Sequence, residues 1–343
     1  MINILKTQIY LYSMCNLRIK FKEKHMINPA IFRAYDIRGN SNNYLSPEIA
    51  YKIGFCFARI ILSSQKEAGS NFICVGRDGR LSSEELCNAL LQGIRATGAN
   101  VKYIGLVATP TLYFADKNFS APGSIMVTGS HNPKEDNGFK MVKSNAPFFG
   151  LMIQGLRKQI EEFNWPVLEI KDNYVQDCID LKEQYIDRIL LNRKISKNLK
   201  IAFDPANGAA GELVSILCRK LPCQTFTINE KIDGNFPAHD PDPTIPENLS
   251  QLKNYVLENN CDVGIGFDGD ADRIGIITKK GVFVPGDQLL CLYAKDVISK
   301  SPGAKIIADI KASGVLFDYV KEIGGVPIMW KTGHSFIKAK IKE

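Results

Sequence analysis

The sequence has no apolar run long enough to cross a membrane. Even its basic first 25 residues are interrupted by Lys6, Gln8 and Asn16, far short of the roughly 18–20 consecutive apolar residues that a span requires. That segment also lacks the continuous apolar stretch and small-residue cleavage site of a secretory signal. No C-x-x-C pair occurs: cysteines 15, 56, 74, 87, 178, 218, 223, 261 and 291 are scattered and odd in number. This argues for reduced thiols, a cytoplasmic protein and no zinc site. Two motifs are missing as well, the P-loop lysine motif and Gly-x-Ser-x-Gly, which speaks against a P-loop kinase and a nucleophile-elbow hydrolase. Nor is there a strong charge of one sign. Of the formal +7, residues 1–25 carry +4 (five basic residues against Glu23), leaving +3 for the rest, too little to imply nucleic acid.

What remains is an ordinary globular composition, 45% hydrophobic and 23% charged over 343 residues. Such a length predicts about two to three domains. Residues 1–25 are expected to form an unstructured extension, with Met26 opening the first interpretable segment. Ser46-Pro-Glu predicts a capped helix with Ile49, Ile53, Phe57, Ile60 and Ile61 at helical spacing. Short apolar runs at 71–76, 101–107, 123–127, 199–203, 261–267, 304–308 and 326–330 predict strands, with helices between most of them. Alternation of this kind makes a mainly parallel α/β architecture. Its ligands belong at strand ends.

Three strand-end loops carry chemistry. Thr128-Gly-Ser-His-Asn-Pro133 follows the run Gly123–Val127 and offers the Ser130 hydroxyl, flanked by Gly129 for close backbone approach and stiffened by Pro133. On its own this pattern is equally that of a polar connecting loop. Phe267-Asp-Gly-Asp-Ala-Asp-Arg273 sets Asp268, Asp270 and Asp272 at alternating positions. Carboxylates so close need a cation, and oxygen ligands select Mg²⁺ or Ca²⁺. Arg273 and Lys279 stand where a calcium EF-hand wants Gly and Glu. Lys331-Thr-Gly-His-Ser335 adds a lysine and His334 on a glycine turn, suited to a sugar hydroxyl or a proton transfer. Upstream, Arg33 and Arg38 lie in the apolar segment 31–39 and call for anionic partners. A serine hydroxyl, a Mg²⁺ loop and surrounding cations suit the carriage of a phosphoryl group.

These motifs, together with Phe32-Arg-Ala-Tyr-Asp-Ile-Arg-Gly39, resemble the α-D-phosphohexomutase superfamily, and within it the bacterial phosphomannomutase/phosphoglucomutase branch, from about Met26 to Glu343. The resemblance implies successive mixed-sheet, three-layer α/β domains, here 26–176, 177–282 and 283–343, around a deep cleft. It implies interconversion of hexose 1-phosphate and 6-phosphate through a phosphoserine and a hexose 1,6-bisphosphate, with glucose or mannose 1,6-bisphosphate as activator. Ser130 is then the phosphoserine, and Asp268, Asp270 and Asp272 hold Mg²⁺ together with the serine phosphate. Arg38, Arg273 and Tyr35 organise the phosphoserine region, with His131 and Asn132 beside them in the serine loop. Lys140 is the acid/base candidate, and Lys331 and His334 face the sugar. The family's Gly-Glu-Met-Ser-Gly loop and phosphate-gripping fourth domain are not among these residues. The expectation is therefore a C-terminally truncated mutase with an incomplete third domain, or one completed by a separate chain. Two alternatives stay open: a remnant that binds Mg²⁺ and phosphosugar without turnover, and a phosphoglucosamine mutase.

Overall fold

In the computed structural model, which describes residues 19–20, 27–64, 71–171 and 176–343, the chain forms three α/β units in sequence. All of the expected extension except Ile19–Lys20 lies outside the described residues. That dipeptide (β1) pairs antiparallel with Glu169–Ile170, so it is not free chain. Residues 172–175, where the composition shift falls, also lie outside them.

The first unit is built on strands β2 (Ile37–Asn40), β3 (Phe72–Arg77), β4 (Asn100–Leu106), β5 (Gly123–Val127), β6 (Asp136–Lys143) and β7 (Ala146–Pro147), in the order β2-β6-β5-β3-β4 with β7 beside β6. The pairs β3–β4 and β3–β5 are parallel, whereas β6 runs antiparallel to both β2 and β5. Along β5 the side chains alternate. Ile125 and Val127 enter the core under helices α1 (Pro47–Ser63), α2 (Ser83–Arg95) and α4 (Leu151–Glu162), and Met126 enters the smaller core under α3 (Thr109–Asn118). A strand buried on both faces reads as a continuous apolar run, which is why the sequence exposes it. Helix α1 starts as expected, with the Ser46 hydroxyl accepting from Ile49 N and Pro47 in the first turn. It lies close against α2 because Gly93 faces it: a Cβ there would stand 2.0 Å from the Tyr51 carbonyl oxygen.

After β8 (Glu169–Ile170), helix α5 (Lys182–Leu190) leads into the second unit. Here β9 (Lys200–Asp204), β10 (Gln224–Thr227), β11 (Val263–Phe267), β12 (Ile274–Thr278) and β13 (Phe283–Val284) line up as β10-β9-β11-β12-β13. Helix α6 (Gly211–Lys220) covers one face, with Val214 over Ile201 and Phe203, and α7 (Ser250–Glu258) covers the other, with Leu252 and Val256 over Ala202 and Ile277.

The third unit pairs β14 (Lys305–Asp309) with β15 (Val326–Trp330) in parallel, packed by α8 (Gly286–Lys300) and α9 (Gly314–Glu322) around Ile298, Leu316 and Val320. Its last helix, α10 (His334–Lys342), leans back onto the first unit. Phe336 meets Phe149 edge to face at 5.3 Å, and the Ser335 hydroxyl donates to the Tyr35 carbonyl. Among the described residues no helix is long and apolar enough to cross a membrane, and the eight described cysteines are unpaired.

Candidate active site

Strand β5 delivers Ser130 in a left-handed backbone conformation, φ +52°, and the residue is only 2% exposed. Its N–H donates to Thr128 Oγ1 at 2.8 Å, and its hydroxyl donates to Asp268 Oδ2 at 2.8 Å. The hydroxyl also lies 3.3 Å from His131 Nδ1. The Asp268 carboxylate thus meets the serine itself rather than the imidazole, which is not the order of a Ser-His-Asp relay. The two loops approach this closely because Gly269 has no side chain: a Cβ there would stand 2.4 Å from the Ser130 carbonyl. Arg38 ties the loop from the other side through Gly129 O (2.8 Å) and Asn132 Oδ1 (2.7 Å), with its remaining donors on Asp36.

Strand β11 ends in the acidic loop. Asp268, Asp270 and Asp272 each bring a carboxylate oxygen within 4.8 Å of the others, and the first two are fully buried. Asp268 Oδ1 accepts the backbone N–H groups of Asp272 and Arg273. Asp270 Oδ2 receives the Thr109 hydroxyl and the Lys140 ammonium, and Lys140 Nζ lies 2.6 Å from both Asp270 Oδ2 and Asp272 Oδ2. Burial, then the charges of Asp270 and Asp272, hold the Asp268 carboxyl well above the usual range. Burial also acts to raise Asp270, but Lys140 and Thr109 outweigh it and hold that carboxyl low. For Lys140 burial opposes the charge, and the Asp270 and Asp272 carboxylates overcome it, so the ammonium is held firmly protonated. Asp270 Oδ1 is buried with no hydrogen-bond partner. A free carboxylate oxygen inside a hard-oxygen donor set is the site a divalent cation such as Mg²⁺ would fill, and the three aspartates fit it.

On the rim, His334 opens α10 with both ring nitrogens buried and unpartnered, 6.1 Å centroid to centroid from Tyr35. Burial and the nearby Lys140 and Lys338 charges push it down to about 3. His131 is pushed down to about 4 by burial and Arg273. Both imidazoles are therefore neutral at pH 7. Arg273 reaches out to 3.9 Å from Asp242. Lys331, at the turn after β15, is exposed, whereas His334 at the start of α10 is half-buried.

Several groups at this site escape a motif reading. Thr109, at the start of α3, binds Asp270 through side chain and backbone. Lys338 stacks 3.5 Å above the Tyr113 ring, its ammonium pushed down to about 8 by burial. Asp78 and Arg80 grip the serine loop. The one available signal for the last pair is position: Arg77-Asp-Gly-Arg80 closes β3, the parallel neighbour of β5, at the same edge of the sheet.

Successive α/β/α units whose strand-end loops converge on a buried serine and an acidic triad define the class as a multidomain α/β/α protein with its site between the units. Models of the phosphoglucomutase/phosphomannomutase α/β/α domains I, II and III match residues 29–164, 183–281 and 285–343. The chain belongs to the phosphoglucomutase/phosphomannomutase family. It is 42% identical over 314 residues to a phosphomannomutase/phosphoglucomutase of Pseudomonas aeruginosa, covering 92% of this chain and 66% of the relative. A phosphoglucomutase of Neisseria gonorrhoeae is 40% identical over 313 residues, 91% of this chain and 67% of the relative. The crystal structure of a phosphoglucomutase/phosphomannomutase family protein from Burkholderia thailandensis superposes with a TM-score of 0.84 at 41% identity, covering 92% of this chain and 69% of that one. The chain thus spans about two thirds of the length of the curated relatives it matches.

Proposed function

We propose that the protein interconverts hexose 1-phosphate and hexose 6-phosphate, of mannose or glucose, by way of a phosphoserine at Ser130 and a hexose 1,6-bisphosphate. The observation that carries this reading is the Ser130 hydroxyl held 2.8 Å from Asp268 within an acidic triad bridged by a buried lysine. Bound by Asp268, Asp270 and Asp272, Mg²⁺ would supply charge neutralisation for the transferring phosphoryl group. The chain's own groups do the rest. The Oγ–P bond of the phosphorylated serine breaks as a P–O bond forms to the free sugar hydroxyl. The hydroxyl proton passes by way of His334, whose ring nitrogens are free, and Lys140, the acid/base candidate, to the departing Ser130 oxygen. In the second half the roles reverse: the other phosphate of the bisphosphate returns to Ser130. Arg38 and Arg273 organise the phosphoserine. Tyr35, His131, Asn132 and Lys331 contact the sugar phosphate, and glucose or mannose 1,6-bisphosphate primes the serine. The working division of the chain is 26–176, 177–282 and 283–343, and the unpaired cysteines support a reducing, cytoplasmic setting.

The test is a coupled assay on mannose 1-phosphate and glucose 1-phosphate, with Mg²⁺ and a trace of glucose 1,6-bisphosphate. Ser130→Ala is the control, and glucosamine 1-phosphate is a third substrate. Turnover of the hexose phosphates, abolished in the control, is the expected result. Preference for the amino sugar would move the assignment to a phosphoglucosamine mutase. Phosphate transfer to Ser130 without turnover would leave only the donor half.

A further inference from the structure

Arg80 is 2% exposed, and its side chain is fully buried. Its four terminal N–H bonds all go to carbonyl oxygens of the serine loop. Nη1 donates to Pro133 O (2.5 Å) and Asp136 O (3.0 Å), and Nη2 donates to Ser130 O (2.8 Å) and Asn132 O (2.6 Å). Among the described residues, the Ser130 and Asn132 carbonyls find a donor only here. The group is boxed in on every side. Gly129 lies against it so closely that a Cβ would stand 2.3 Å from Nε, and the Phe236 ring of the second unit covers it at 5.1 Å. Asp78 aligns it from behind: Oδ2 lies 3.5 Å from Arg80 Nε and also accepts Gly129 N–H, while Oδ1 accepts Arg80 N–H. The loop it holds includes Ser130 at φ +52°, a conformation disfavoured for any residue with a Cβ. Such a loop relaxes unless something outside it fixes the carbonyls.

We infer that Arg80 is the positioning residue for Ser130: its planar fork fixes four carbonyls of the serine loop and so aims the hydroxyl at the acidic triad. The inference rests on the phosphoserine reading for its chemical consequence and on geometry alone for the clamp. A lysine cannot replace it, since one ammonium does not span carbonyls arranged for a planar fork.

The test uses the full chain as wild type, Arg80→Ala and Arg80→Lys. One readout is the first-order rate of Ser130 phosphorylation at saturating glucose 1,6-bisphosphate and Mg²⁺, by rapid quench and peptide mass. A second is amide hydrogen exchange over 128–136, and a third is Mg²⁺ affinity by calorimetry. In both variants the rate per folded molecule is expected to fall about 10²-fold, the cost of a misplacement near 1 Å. Exchange in the loop should accelerate while β3 and β5 stay protected, and Mg²⁺ affinity should hold within about threefold, since Arg80 touches none of the three aspartates. Millimolar guanidinium should restore part of the rate in Arg80→Ala, and ethylammonium should not. A rate within about threefold of wild type, with unchanged loop exchange, would make Arg80 mere packing and overturn the inference. If Arg80→Ala does not fold, Arg80→Lys decides. If the wild type itself takes no phosphate on Ser130, the functional reading fails, and the exchange comparison alone decides the clamp: unchanged exchange in the variants overturns it.

Discussion

Lys140→Met isolates the electrostatics of the acidic loop. In the absence of metal, Lys140 is the cation bonded directly to Asp270 and Asp272, at 2.6 Å from each, and it is 4% exposed. Methionine keeps most of the stem's volume, so the loss is chiefly one of charge. Removing one partner of a buried pair costs about 3–5 kcal/mol. Asp272 is 21% exposed and Asp270 fully buried, so water screens part of the uncovered charge and the lower end, about 3 kcal/mol, is expected. At about 2–4 °C per kcal/mol for a domain of this size, the first thermal transition in EDTA should fall by roughly 6–12 °C. Mg²⁺ should then close much of the gap, because a cation held by the same three aspartates would offset the charge that the lost ammonium leaves uncovered. The assay is thermal and urea unfolding of both proteins in EDTA and in saturating Mg²⁺, with calorimetric Mg²⁺ titrations. The variant should bind Mg²⁺ more tightly than the wild type. A loss below about 1 kcal/mol in EDTA, the size of an exposed pair, or a gap that Mg²⁺ leaves unchanged, would refute the reasoning.

Thr109→Val removes the hydroxyl donor to buried Asp270 while the backbone bond from residue 109 to the Asp270 carbonyl (2.9 Å) remains. Urea denaturation should show a loss of about 1.5–3 kcal/mol, the range for a hydrogen bond to a charged group. Gly129→Ala would put a Cβ 2.5 Å from the Asp136 carbonyl oxygen as well as against Arg80. It should destabilise by at least about 1–3 kcal/mol, and the phosphorylation rate of Ser130 should fall with it. His239 Nε2 lies 3.0 Å from buried Asp204. Burial opposes its protonation, but the bonds to Asp204 and to the Asp240 carbonyl prevail, and its pKa is raised. That stabilisation is full below the unfolded histidine value and is lost as pH rises through the raised one. The stability gap between wild type and His239→Asn should accordingly be larger at pH 6 than at pH 9, by about 1–2 kcal/mol; urea titrations in which the gap grows with pH would contradict this.

The chemistry of the acidic loop was legible because it is local: three aspartates within five residues, after a strand, are a hard-oxygen donor set wherever the fold puts them. So was β5, whose burial on both faces leaves the consecutive apolar residues Ile125, Met126 and Val127. Strand β6 was hidden. Asp136-Asn-Gly138 has the composition of a turn, and the stretch to Lys140 reads as one loop. Pairing by β2 on one side and β5 on the other overrides that local preference and carries Lys140 into the site. Partners remote in sequence were invisible for a different reason. Thr109 and Asp270 are 161 positions apart, and nothing in either segment names the other. Arg80 shows the same limit, since its four acceptors are backbone carbonyls and leave no mark in side-chain chemistry. His334 and Lys331, three positions apart, differ in burial because the lysine sits on the exposed turn and the histidine opens a helix.

The most direct measurement is the mass of the intact chain, and of its peptides, after incubation with glucose 1,6-bisphosphate and Mg²⁺, compared with the same mixture in EDTA. The account predicts one added phosphoryl group on Ser130, dependent on Mg²⁺ and lost in Asp268→Asn, whose amide takes the place of the carboxylate that meets the serine hydroxyl at 2.8 Å. A chain that remains unmodified, or that takes the phosphate on another residue, would contradict it.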